Sequence, residues 1–229
     1  MASVYDRLRS DIVLGELRPG KRLRFEELKE SYGVGLSPLR EALTRLASEN
    51  PVQLEQHKGF RVSPVSRKDL ADLLFMRQQI ESMGIRLALQ NGDDEWEASI
   101  VAAIHALRKS APFTPEGQVD GEWERRHRTF HDALVAAAGS PRLLLYRTQL
   151  LDHFDRYRIL FLQTEQDYTD AGRDPLAEHV TLADTALARD VDGMDELMRQ
   201  HLGRTVDIIV KLGDSRDTTF WDQGDWAAP

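Results

Sequence analysis

The chain has 229 residues, 41% of them hydrophobic and 30% charged, enough for one large or two small domains with real cores. Cysteine is absent, which excludes disulfides, thiolate metal ligands and a cysteine nucleophile. No apolar run approaches the roughly 18 residues that a membrane span needs. The charged start MASVYDRLRSDIV does not read as a signal peptide, so a cytoplasmic location is expected.

The net charge of −8 argues against nucleic acid only until its distribution is read. Residues 1–65 hold eleven Lys/Arg and nine Asp/Glu, a balance of +2; the remainder holds 19 and 29, a balance of −10. The hydrophobic pattern changes at the same point, so we divide the chain there. In residues 4–14, Val4, Leu8, Ile12 and Val13 share one helical face, and Gly15 stops the helix. Leu17, Pro19 and Gly20 make a tight turn, and FEELKESY at 25–32 predicts a second helix ending at Gly33. Ser37-Pro38 predicts the cap and first turn of a third helix, with Leu39, Leu43 and Leu46 on its apolar face and Pro51 forbidding its continuation. The alternating stretches VQLEQ and GFRVSPV, joined through His57, Lys58 and Gly59, predict a β-hairpin.

Three helices and a hairpin in this order predict a winged helix-turn-helix. The alternative is a small helical bundle without a nucleic-acid role, which Glu26, Glu27 and Glu30 favour because they repel phosphate. Against it, Ser37, Arg40 and Arg45 on the third helix and Lys58 at the hairpin tip gather cationic and hydroxyl groups where such a fold meets DNA. Arginine reads guanine N7 and O6, while lysine and helix N-termini hold phosphate.

The run GELRPGKRL, YGVGLSPLREALTRLASEN and QHKGFRV resembles the DNA-binding domain of the GntR family of bacterial transcriptional regulators. The resemblance implies that Ser37, Arg40 and Arg45 face DNA and that His57, Lys58 and Gly59 form the wing tip. It also marks departures: Gly35-Leu36 stand where the family usually has a Ser/Thr-Arg pair, and Glu26 where it often has arginine. The usual operator preference is therefore expected to change.

Residues 66–229 predict helices at about 67–91, 94–110, 119–138, 141–164, 174–189 and 192–213, an all-α bundle. The tail 214–229 is polar and acidic and carries two tryptophans. Among the histidines, His127 and His131 are four apart and point from one helical face, a two-point metal clamp. A lone histidine is more often a hydrogen-bonded core residue, so spacing leaves both readings open.

The stretches LFMRQQIESMGIRLA, HRTFHDALVAAAGSPRL and DPLAEHVTLADTALARDVDGMDELMRQHL resemble the FCD domain that accompanies this type of DNA-binding domain. In its metal-binding members the site is an aspartate and three histidines. The resemblance places His131, His179 and His201 at the histidine positions and His127 at the aspartate position. Four neutral imidazoles suit a divalent transition metal such as Zn or Ni better than Mg or Ca. Arg77, a charge inside an apolar helical pattern with Glu81 at i+4, is either a buried pair with Glu81 or, as the resemblance implies, a residue facing an effector cavity. His105 and His153 match no ligand position.

These readings together predict a DNA-binding homodimer, not an enzyme, whose operator affinity responds to a small organic acid. Two alternatives stand beside this reading: a second segment that only dimerises, and a metal-dependent hydrolase. The latter lacks an HExxH motif, a P-loop and an obvious general base.

Overall fold

The computed structural model describes residues 3–162, 164, 166–167 and 172–215. Helix α1 (Val4–Val13) opens on a capping box in which Ser3 Oγ accepts from the Asp6 N–H and the Asp6 carboxylate accepts from the Ser3 N–H. It ends just before Gly15, whose φ of +79° is the left-handed conformation that glycine adopts without strain. Helix α2 (Phe25–Tyr32) ends on Gly33 in the same region, φ +64°. Helix α3 (Leu36–Ser48) begins earlier than expected. Gly35 is the extended N-cap residue and makes no side-chain cap, so Ser37 lies inside the first turn and does not cap it. Pro38 fits there because the first N–H groups of a helix have no intrahelical partner.

The hairpin strands β2 (Val52–Glu55) and β3 (Gly59–Val62) pair antiparallel, Leu54 facing Phe60. A two-residue strand, β1 (Arg22–Leu23), adds to the other edge of β3. It was not expected, because two residues are too few to show alternation. Leu8, Ile12, Leu39, Leu43, Leu46 and Val62 are completely buried in the core of this unit. The predicted winged helix-turn-helix is thus the observed architecture.

The second segment is helical, as expected: α4 (Arg67–Asn91), α5 (Asp94–Arg108), α6 (Gly121–Val135), α7 (Pro141–Phe161), α8 (Pro175–Leu187) and α9 (Val191–Ser215). Side chains cap the starts of α4 to α8, for example Asp120, which accepts from the Glu122 and Trp123 N–H groups. Helix α6 tightens into a 3-10 turn at Ala136–Ala138, so the helix expected at 119–138 is shorter and changes pitch. The break between α5 and α6 also holds two isolated bridges, Phe113 with Val119 and Gln118 with Thr164. Residues 216–229, most of the predicted acidic tail, lie outside the described residues.

One core packs Trp96, Phe130, Leu182, Met194 and Met198 between α5, α6, α8 and α9. A second packs Leu70, Phe154, Tyr157, Phe161 and Ile209 between α4, α7 and α9. Gly84 lets the helices close up: a Cβ there would lie 3.2 Å from both Leu143 Cδ2 and Val135 Cγ1. The two segments meet along α7, where Asp152 pairs with Arg9 of α1 and His153 Nε2 donates to the Glu49 carbonyl at 2.8 Å.

Candidate functional site

Helix α6 carries His127 and His131 on one face, α8 brings His179 and α9 brings His201. One ligating nitrogen from each lies within 4.8 Å of the others. His131 Nε2 is 3.2 Å from His127 Nε2 and 3.1 Å from His179 Nε2. Two imidazole nitrogens on one tetrahedral zinc, each about 2.0–2.1 Å from it, are about 3.3–3.4 Å apart. The donor set therefore fits a single transition-metal ion. His131, His179 and His201 are buried, and half-buried His127 stacks on Trp123 with ring centroids 4.9 Å apart.

Burial pushes all four rings below the ordinary histidine range, His179 to about 3; neighbouring imidazoles reinforce it at His127, His131 and His179, while at His201 the Glu178 hydrogen bond opposes it. They are neutral at neutral pH, which is the ligating form. The far sides of two rings are held. His201 Nδ1 donates to Glu178 Oε2 at 2.8 Å, and His179 Nδ1 donates to the Pro175 carbonyl. This is the outer arrangement that orients ligating histidines. Burial opposes ionisation of Glu178, but hydrogen bonds from His201 and Arg173 hold its carboxyl down to about 2. His131 is fixed through its backbone: Arg147 Nη2 donates to the His131 carbonyl at 2.9 Å while Nε reaches Glu81 at 2.9 Å. His131 Nδ1 is buried without a partner.

Arg77 forms the buried pair with Glu81, the first of its two expected readings. Its Nη2 donates to Glu81 Oε1 at 3.1 Å, yet it also lines the cavity that holds the four histidines. Its Nε has no partner, and its guanidinium carbon lies 4.4 Å from the Phe154 ring centroid. That cavity is small, about 30 Å³. Glu178, Arg147 and Arg173 were missed because their roles depend on helices distant in sequence. The only local hint was the Glu178-His179 adjacency.

On α3, Ser37 and Arg40 are exposed, as is Leu36 beside them. The Arg40 guanidinium carbon lies 5.7 Å from the Phe25 ring centroid. Arg45 is exposed too, but its Nε is 3.1 Å from Glu49 and its guanidinium carbon sits 3.9 Å over the Tyr5 ring. At the hairpin tip His57 and Gly59 have φ of +61° and +82°, and Lys58 between them is exposed.

The family model for bacterial regulatory proteins of the gntR family matches residues 1–62, and the FCD domain model matches residues 72–204. The chain belongs to the GntR family and carries an FCD domain. The HTH-type transcriptional repressor GlaR of Escherichia coli (strain K12) is 38% identical, over 90% of this chain and 93% of that protein. The uncharacterized regulator BphR of Paraburkholderia xenovorans (strain LB400) is 36% identical, over 92% and 85%. Among solved structures, E. coli McbR/YncC shares the fold with a TM-score of 0.73, covering 92% of this chain and 99% of that one at 22% identity. This GntR/FCD protein is a transcriptional regulator, and its helix-turn-helix domain implies DNA binding. These relatives are transcriptional regulators, not enzymes, which overturns the hydrolase alternative. No helix among the described residues is long and apolar enough to cross a membrane.

Proposed function

We propose that this regulator binds operator DNA as a cytoplasmic homodimer under the control of a small carboxylate held at a metal centre. In this reading residues 1–65 bind DNA through Ser37, Arg40 and Arg45 and through the wing tip His57, Lys58 and Gly59. Residues 66–213 hold the effector and dimerise. The exposed apolar side chains Phe75 and Met83 on α4 and Leu145 and Tyr146 on α7 supply the dimer face.

The convergence of His127, His131, His179 and His201 carries the proposal. They would hold one divalent transition ion, zinc or nickel, and an anion would join it by expanding the shell beyond these four ligands. Neutral imidazoles leave the ion its full charge, and Arg77 adds a guanidinium to the same cavity. An anion compensates that positive pocket. The cavity of about 30 Å³ is the space of about one water molecule, so a carboxylate enters only where the lining side chains move apart. Binding acts on DNA affinity only to the extent that it favours one spacing of the two winged helices. Elemental analysis of the purified protein, with DNA affinity measured before and after chelation, tests the reading. Protein that holds no metal after reconstitution, and whose melting ignores chelator, leaves only the dimerising alternative.

A further inference from the structure

Arg156 stands apart from the histidine centre, on α7 where the two segments meet. It is 5% exposed. Its Nη2 donates to the Ser63 carbonyl in the connection between the segments, while Nε is buried with no partner. No carboxylate among the described residues lies within ion-pair distance of it. Burial pushes its guanidinium down to about 10, with Tyr157 and Asp69 acting weakly the other way. A buried charge without a counter-ion is a cost that a bound anion removes.

Arg156 lines a groove of about 430 Å³ between the segments, within the size range of small-molecule sites. Leu73, Met76 and Ile80 of α4 and Leu150 of α7 give it an apolar wall. We propose that this groove is a second ligand site, taking a monocarboxylate with an aliphatic body. The carboxylate pairs with Arg156 and the body lies on the apolar wall. The acidic neighbours restrict the charge to one. Glu49, Asp69 and Asp72 line the same groove, Glu49 already engaged by Arg45 and Tyr5 and Asp69 by Tyr157. A second negative group would meet these carboxylates instead of a cation.

The site is separate from the histidine cavity and shares no lining residue with it. It also touches both segments. Glu49 and Asn50 follow the end of α3, and Ser63 lies in the connection. A ligand here biases the placement of α3 by whatever difference in affinity it has for two such placements.

Calorimetry on the full-length, chelator-treated protein tests the proposal, with hexanoate as the probe and adipate and hexylammonium as charge controls. Hexanoate is expected to bind the wild type and Arg77→Ala alike. Affinity should fall roughly tenfold or more in Arg156→Gln. Met76→Trp, which narrows the groove at an exposed position and leaves the guanidinium intact, should lower it as well. Melting curves confirm that each variant is folded; if Arg156→Gln is not, Met76→Trp decides. The proposal is overturned if hexanoate does not bind wild type, or if Met76→Trp binds it unchanged. It is equally overturned if adipate or hexylammonium binds as tightly, or if only Arg77→Ala loses binding. Failure of the metal-centre reading leaves this result untouched, because the protein assayed carries no metal.

Discussion

His131 sits where two kinds of support meet, its Nε2 against two other imidazoles and its carbonyl on Arg147. Replacing His131 with Ala is expected to lower metal occupancy and melting temperature together, since a metal bound only by the folded chain stabilises it. Elemental analysis and calorimetric melting check this. Glu178→Gln leaves all four ligands in place but weakens the acceptor of His201. Metal affinity should then drop about 10–100-fold, read by competition with a coloured chelator. The pH dependence has a definite sign. In the metal-free protein the folded-state histidines sit below their ordinary value, His179 at about 3. More than about one unit above pH 6.5 both folded and unfolded chains carry these rings neutral, so they contribute no pH dependence there. As pH falls below that value the unfolded chain takes up protons that the folded chain cannot, and stability drops. Denaturant midpoints at about pH 7.5 and about pH 5.5 should show the loss, smaller in a variant lacking His131.

At the scale of elements, the proposed DNA contacts fall on α3 and the wing. If Arg40 reads a base edge, Arg40→Ala costs roughly 1–3 kcal/mol of specific affinity and relaxes the sequence preference at that position. Lys58→Ala should weaken binding evenly across sequences and lower the salt slope by about one. Fluorescence anisotropy on a salt series separates the two. Arg45 is tied to Glu49 and Tyr5, so it meets a phosphate only by leaving partners that it already has. Packing between helices is equally specific. Gly84→Leu would force side-chain atoms onto Leu143 and Val135 and is expected to destabilise by about 1–3 kcal/mol, measured by chemical denaturation. Most helices were legible because 3–4 spacing and breaking residues are local: Gly33, Pro51, Gly92 and Gly139-Ser140-Pro141 each mark an end or a start, whereas the caps Asp120 and Asp174 were read as helical. Strand β1 was not, because its pairing with β3 joins residues far apart in sequence.

For the whole molecule, the question is how the bundle reaches the DNA-binding unit. Asp152 pairs with Arg9 of α1 and accepts from Arg128 Nη2 at 2.8 Å. Arg128 lies on α6, between His127 and His131, so one carboxylate ties the helix of that histidine pair to the first helix of the winged unit. Asp152→Asn is expected to leave metal occupancy unchanged and to reduce the difference in DNA affinity between metal-loaded and chelated protein. That difference is a coupling free energy and is measured as a ratio of two dissociation constants. An unchanged ratio would show that Asp152 carries none of the coupling.

Apart from strand β1, the order of the elements and the winged unit followed from the sequence alone, as did the all-α second segment. Periodicity, caps and breaking residues act within a few positions of one another. The i, i+4 relation of His127 and His131 was local in the same way. Tertiary structure decided what depends on distant segments meeting. It brought His179 and His201 to that pair, put Glu178 behind His201, and gave Arg77 both a partner and a cavity. It also left Arg156 buried at a junction with no carboxylate among the described residues within ion-pair distance. In the sequence Arg156 is one arginine among several on α7; only the packing of two segments against that helix removes its water and gives its charge a consequence.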